Sequence, residues 1–190
     1  DPEFFNREAV DYIVVGLGKL SFRELVDALE TGRADAGVAG VARTRPGGSL
    51  EWAPRAFSAA DLVDDRPPRY DLVAAHRDHY VMSGVGGKVG FVASAYGCTH
   101  RCTFCSIPNL TGSRYLTHRP ESVLRDISLL GDVPLIRLVD ANTFGDVEGA
   151  FELGRAIIAA GLNKKIVADV RAETVTRRPE LFRLWKEAGL

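Results

Sequence analysis

From residue 89 onward, short β-branched apolar runs alternate with longer segments whose apolar residues recur every three or four positions. That alternation restricts the fold more than any other feature of the chain. Strands are expected over 89–95, 135–139 and 166–170. The first helix opens at Pro120, presents Val123, Leu124, Ile127 and Leu130 on one face, and stops at Gly131. A second is capped by Asp146, buries Val147, Ala150, Phe151 and Ile158, and closes at Gly161. A third opens at Pro179 and carries Leu181, Leu184, Trp185 and Ala188. Repeated strand–helix units predict a parallel α/β sheet or barrel. An eight-unit barrel runs to roughly 250 residues, so these units make only its first half.

The N-terminal part reads separately. Tyr12-Ile13-Val14-Val15 is a buried-strand run, and Gly16-Leu17-Gly18 is a turn. Ser21 and Glu24 have the spacing of a capping box. Phe22, Leu25, Val26 and Leu29 follow at helical spacing, Gly32 ends the helix, and residues 37–42 read as a second strand. Strand–helix–strand is the unit of a parallel sheet. A cluster of turn residues at 45–49 and the charged, proline-bearing run Asp64-Asp65-Arg66-Pro67-Pro68-Arg69 interrupt the pattern. The expected division is 1–60, a linker over 61–88 with its boundary near residue 65, and 89–190. Gly84, Gly86 and Gly87 point to a loop inside the linker. Residue 1 is Asp and the only methionine is Met82, so a fragment cut at both ends is expected.

All three cysteines fall in Cys98-Thr99-His100-Arg101-Cys102-Thr103-Phe104-Cys105, directly after the first strand. Functional groups in parallel α/β folds gather at carboxyl ends of strands. Three thiolates on one short loop suit an iron–sulfur cluster, which ordinarily takes four cysteines. With three, one iron keeps a position for a small molecule. An odd cysteine count argues against disulfides. Structural zinc needs a fourth ligand, which His100 or His118 could supply, though only one C-x2-C arm exists. Apolar content of 46% suffices for a core, and the net charge of −1 argues against a dedicated nucleic-acid binder. No apolar run approaches the roughly 18 residues of a membrane span. No leader opens the chain, so a cytoplasmic protein is expected.

The C-x3-C-x2-C run, with Phe104 before the third cysteine, resembles the signature of radical S-adenosylmethionine (radical SAM) enzymes. The resemblance implies a 4Fe-4S cluster on Cys98, Cys102 and Cys105. Its open iron would bind SAM and cleave it reductively to methionine and a 5′-deoxyadenosyl radical. In that family the aromatic before the third cysteine lies near the adenine, so Phe104 is a candidate cofactor contact; core packing is the competing reading. Arg119-Pro120-Glu121 resembles the family's entry into the first barrel helix. Asp140, in Asp140-Ala141-Asn142-Thr143-Phe144, resembles the acidic strand end of the cobalamin-binding branch. It is the candidate SAM contact, with simple loop capping as the alternative. Asp169 and Arg171, at the third strand's end, could face the same cavity.

No acidic residue occurs from His79 to Pro120, whereas Lys88, Arg101, Arg114 and Arg119 do. That surplus would favour a cluster and the SAM carboxylate, or it is an ordinary basic loop. The 12–42 segment resembles the tail of a cobalamin-binding domain, which makes Gly16 and Gly18 candidates to line the cobalamin tail; a tight strand-to-helix turn explains them equally. A dinucleotide site fails at its third glycine, where Ser21 stands.

The expected fold is therefore α/β, a remnant of a doubly wound cobalamin-binding-type domain before the first half of a radical SAM partial (β/α) barrel. The expected function is radical SAM chemistry of the cobalamin-dependent class, methyl transfer or cyclisation on a small biosynthetic intermediate. An external donor such as flavodoxin or ferredoxin would supply electrons. The alternatives are a radical SAM enzyme without cobalamin and a zinc-stabilised binding module.

Overall fold

The computed structural model describes all residues except 34–36, 57, 65 and 86. The chain forms two compact units, Asp1–Val63 and Asp64–Leu190. The stretch expected as a linker is split between them: 61–63 stay with the first unit, and 64–88 go with the second. The expected boundary residue, Asp65, lies outside the described residues, as does Gly86 of the expected loop.

In the first unit, β1 (Tyr12–Val14) leads into α1 (Lys19–Glu30) and then β2 (Val41–Arg43). The strands pair antiparallel, Tyr12 opposite Arg43 and Val14 opposite Val41, which corrects the expectation of a parallel strand–helix–strand unit. The capping box is also corrected. Gly18 caps α1 in a left-handed conformation, so Ser21 lies within the helix. Ser21 is buried, and its hydroxyl donates to the Ala39 carbonyl at 2.8 Å. Glu24 accepts two bonds from the Arg55 guanidinium, at 2.8 and 3.2 Å. Leu25, Ala28, Ala42 and Leu62 are buried, whereas Phe22 and Leu29, assigned to the helix's inner face, are exposed.

In the second unit, β3 (Val89–Val92), β6 (Leu135–Leu138) and β7 (Lys165–Val167) form a parallel sheet in that order. Val89 pairs with Leu135, and Leu135 with Lys165. Between β3 and β6 come β4 (Ala95–Gly97), α2 (Ile107–Leu110), β5 (Tyr115–Thr117) and α3 (Pro120–Leu129). Helix α4 (Val147–Ala159) crosses to β7, and α5 (Ala172–Arg177) and α6 (Pro179–Glu187) follow. The parallel βα alternation is the one the periodicity predicts.

The core joins Val92, Ile136, Leu138 and Ile166 of the sheet to Val123, Ile127, Ala150, Leu153, Ile157, Leu181 and Trp185 of the helices. Trp185 is fully buried, and its indole N–H donates to the Ala150 carbonyl at 2.9 Å. On α4 the inward residue is Ile157, not Ile158, which is 37% exposed. The first expected strand also divides. Pairing with β6 stops at Val92, and Ala95–Gly97 turns to pair with β5 instead. Among the described residues no helix is long and apolar enough to cross a membrane.

Candidate metal centre

The cysteine loop is held at both ends. Ala95, Tyr96 and Gly97 pair antiparallel with Thr117, Leu116 and Tyr115, so residues 98–114 form a loop closed by a short β-clip. Gly97, the residue before Cys98, has φ +87, and a Cβ there would stand 2.1 Å from the Arg114 carbonyl oxygen. Only glycine permits that approach and that backbone region. Inside the loop, Cys105 N–H donates to the Cys102 carbonyl at 3.1 Å, and α2 follows at once. All three cysteines are half-buried free thiols.

Asp140 supports the clip from below. It is 4% exposed, and its Oδ1 accepts from Ser94 N–H at 2.8 Å and Ala95 N–H at 2.9 Å, while Oδ2 accepts from the Ser94 hydroxyl. Burial pushes its carboxyl above the ordinary range, against the pull of those bonds. Both oxygens are thus engaged at the β3–β4 break. Tyr115 ties the other end of the clip to the segment after β6. Its hydroxyl lies 2.8 Å from the Asn142 carbonyl and 2.9 Å from that of Thr143, and it accepts from Gly145 N–H at 3.2 Å. Burial pushes the Tyr115 phenol up.

Arg171 approaches the loop from the end of β7, its Nη1 3.6 Å from Cys102 Sγ. The sequence places Arg171 at the third strand's end, facing the same cavity, but its contact with Cys102 is not legible there, because contacts between residues so far apart have no periodic signal. Its companion Asp169 instead pairs with Arg137. A cleft of about 250 Å³ beside the loop is lined by His100, Asn142, Phe144, Glu173, Arg177 and Arg178, among others. Asn142 is 3% exposed, and its Oδ1 has no hydrogen-bond partner among the described residues. No sequence pattern marked it, since an Asn after a strand reads as a turn residue.

Phe104 is 91% exposed, which removes core packing as its explanation. Gly16 and Gly18 both have positive φ, 89° and 69°, so the turn into α1 accounts for them without any ligand. Of the basic residues, Lys88 pairs with Asp78 at 2.5 Å, and Arg119 stands 3.8 Å from Asp64. His118 also pairs with Asp64. Among the described residues no three His, Cys, Asp or Glu side chains converge on a single ion. A lone zinc, with bonds of about 2.3 Å, demands that convergence. A four-iron cluster distributes its thiolates over separate irons. Three thiols on one clipped loop, with a guanidinium against one of them, form a donor set that fits a 4Fe-4S cluster.

No family model matches the chain. An uncharacterized methyltransferase of Pyrococcus horikoshii is 31% identical over 99% of this chain and 40% of its own length. The hopanoid C-3 methylase of Methylococcus capsulatus is 28% identical over 74% of this chain and 26% of its own. The chain thus spans two fifths or less of these relatives. Among solved structures, the radical SAM methyltransferase TsrM of Kitasatospora setae has the same fold. It superposes at a TM-score of 0.71 with 21% identity, covering 98% of this chain and 36% of TsrM, in a form with tryptophan and a SAM analogue bound. A second TsrM form carries cobalamin and a [4Fe-4S] cluster, at a TM-score of 0.68.

Proposed function

We propose that this chain is part of a radical SAM enzyme, and that the protein carrying it uses a 4Fe-4S cluster on Cys98, Cys102 and Cys105 to cleave SAM and begin radical chemistry. The observation that carries this is the clipped cysteine loop, three half-buried thiols at the carboxyl end of the first sheet strand. When bound, the cluster supplies the electron for SAM cleavage. The chain's own residues hold and shield. Gly97 admits the loop against Arg114, and Asp140 fixes the strand end from which the loop springs. Asp140 therefore acts on SAM through β4 and not by touching it.

The neighbouring cleft suits the amino-acid end of SAM. The unpartnered Asn142 Oδ1 would accept from its ammonium, and Arg177 and Arg178 would attract its carboxylate. Exposed on the loop, Phe104 is placed to cover an adenine. The methylase relatives and the TsrM fold favour the cobalamin-dependent class, with methyl transfer or cyclisation of a small molecule as the overall reaction. In that reading Gly16 and Gly18 line the cobalamin tail. A cytoplasmic location and a flavodoxin- or ferredoxin-type reductant belong to the same proposal.

The test is 5′-deoxyadenosine formation by the complete, anaerobically reconstituted gene product with dithionite. Cys98→Ala, Cys102→Ala and Cys105→Ala are each expected to abolish it. Wild-type rates in any one of them would remove the assignment.

A further inference from the structure

We propose that Arg171 is a positioning residue that raises the reduction potential of the cluster through its contact with the Cys102 sulfur. This rests on the reading of the cysteine loop given above. The guanidinium reaches that sulfur from 69 residues away in sequence, at 3.6 Å from Nη1. Its backbone is fixed where it leaves β7, because the Arg171 carbonyl accepts from Thr174 N–H at 3.0 Å and Val175 N–H at 3.3 Å, opening α5. Among the described residues the side chain has no stronger engagement elsewhere. Nη2 is 3.9 Å from the Glu173 carboxylate, and Nε is buried with no partner. A cation held at a thiol without a tight carboxylate is poised for negative charge on sulfur.

The electrostatic consequence has a definite sign. Reduction adds one electron to the cluster, and dithionite supplies it in a titration; no bond forms or breaks at Arg171. The reduced form carries the extra negative charge, so a nearby cation and an N–H···S bond stabilise it more than the oxidised form. Removing the guanidinium should therefore make the cluster harder to reduce. Lysine keeps a point charge but loses the planar fork that fixes direction.

The experiment is a potentiometric titration, followed by electron paramagnetic resonance, of the complete reconstituted gene product and of Arg171→Met and Arg171→Lys. Iron content and far-ultraviolet circular dichroism are measured alongside. At a fixed potential the reduced-to-oxidised ratio is expected to fall about tenfold in Arg171→Met, which is about 59 mV for a one-electron couple, and by less in Arg171→Lys. Iron content should match the wild type. Unchanged midpoints in variants that hold a full cluster would overturn the assignment and leave the cysteine-loop reading intact. Loss of iron from both variants with the fold preserved would also overturn it, making Arg171 a prop for the loop. A wild type that holds no cluster would bring down the cysteine-loop reading itself, and this inference with it.

Discussion

A carboxylate leaves water only where donors meet it, and Asp140 collects three, from Ser94 N–H, the Ser94 hydroxyl and Ala95 N–H. Asp140→Ala would strand the two backbone donors in the interior and should cost about 2–4 kcal/mol, read as a lower urea midpoint. The pH dependence has a sign. Burial holds the folded-state carboxyl above its ordinary value, so folding favours the protonated form. That contribution is complete below the unfolded carboxyl's pKa and is lost as pH rises through the folded one. Asp140→Asn, neutral throughout, should gain stability relative to wild type across the pH interval in which the buried, raised carboxyl of Asp140 loses its proton. A variant that loses ground over that interval would contradict this. The sequence placed Asp140 at the correct strand end. It could not tell that the carboxylate points back to the β3–β4 break, because that break depends on pairing with β5. For Phe104 the residue type was legible, but its 91% exposure was not.

At the scale of elements, the β4–β5 clip decides how the thiols are presented. Gly97→Ala would bring a methyl to 2.1 Å from the Arg114 carbonyl oxygen at φ +87. We expect a cost of about 2–4 kcal/mol and poor iron loading. Gly112→Ala is the control, since its φ is +60 but nothing lies within 4 Å; it should cost about 1 kcal/mol and load normally. Equal thermal midpoints and iron contents in the two variants would refute the role given to the clip. Helices α3, α4 and α6 were legible because Pro120, Asp146 and Pro179 mark their starts and apolar spacing marks their faces. The clip was not, since Ala95-Tyr96-Gly97 continues the apolar run of β3 without punctuation. Nor was the pairing direction of β1 and β2, because periodicity reports which side is buried, not which neighbour pairs. The capping box failed because the turn places Gly18, not Ser21, at the start of α1.

For the molecule as a whole, a parallel βα half-sheet carries the cysteine loop where α/β folds keep their ligands, and the fold agrees with TsrM over 98% of the chain. The candidate chemistry is more legible in the residues than the architecture around it, since three cysteines within eight residues admit few cofactors. On the function proposed above, these thiolates grip a four-iron cluster. Iron and acid-labile sulfide should be measured in the chain after oxygen-free reconstitution, beside a variant with Cys98, Cys102 and Cys105 all changed to Ala. About four irons and four sulfides per chain are expected in a brown wild type, and almost none in the variant. A colourless, iron-free wild type, or equal iron in both, would contradict it.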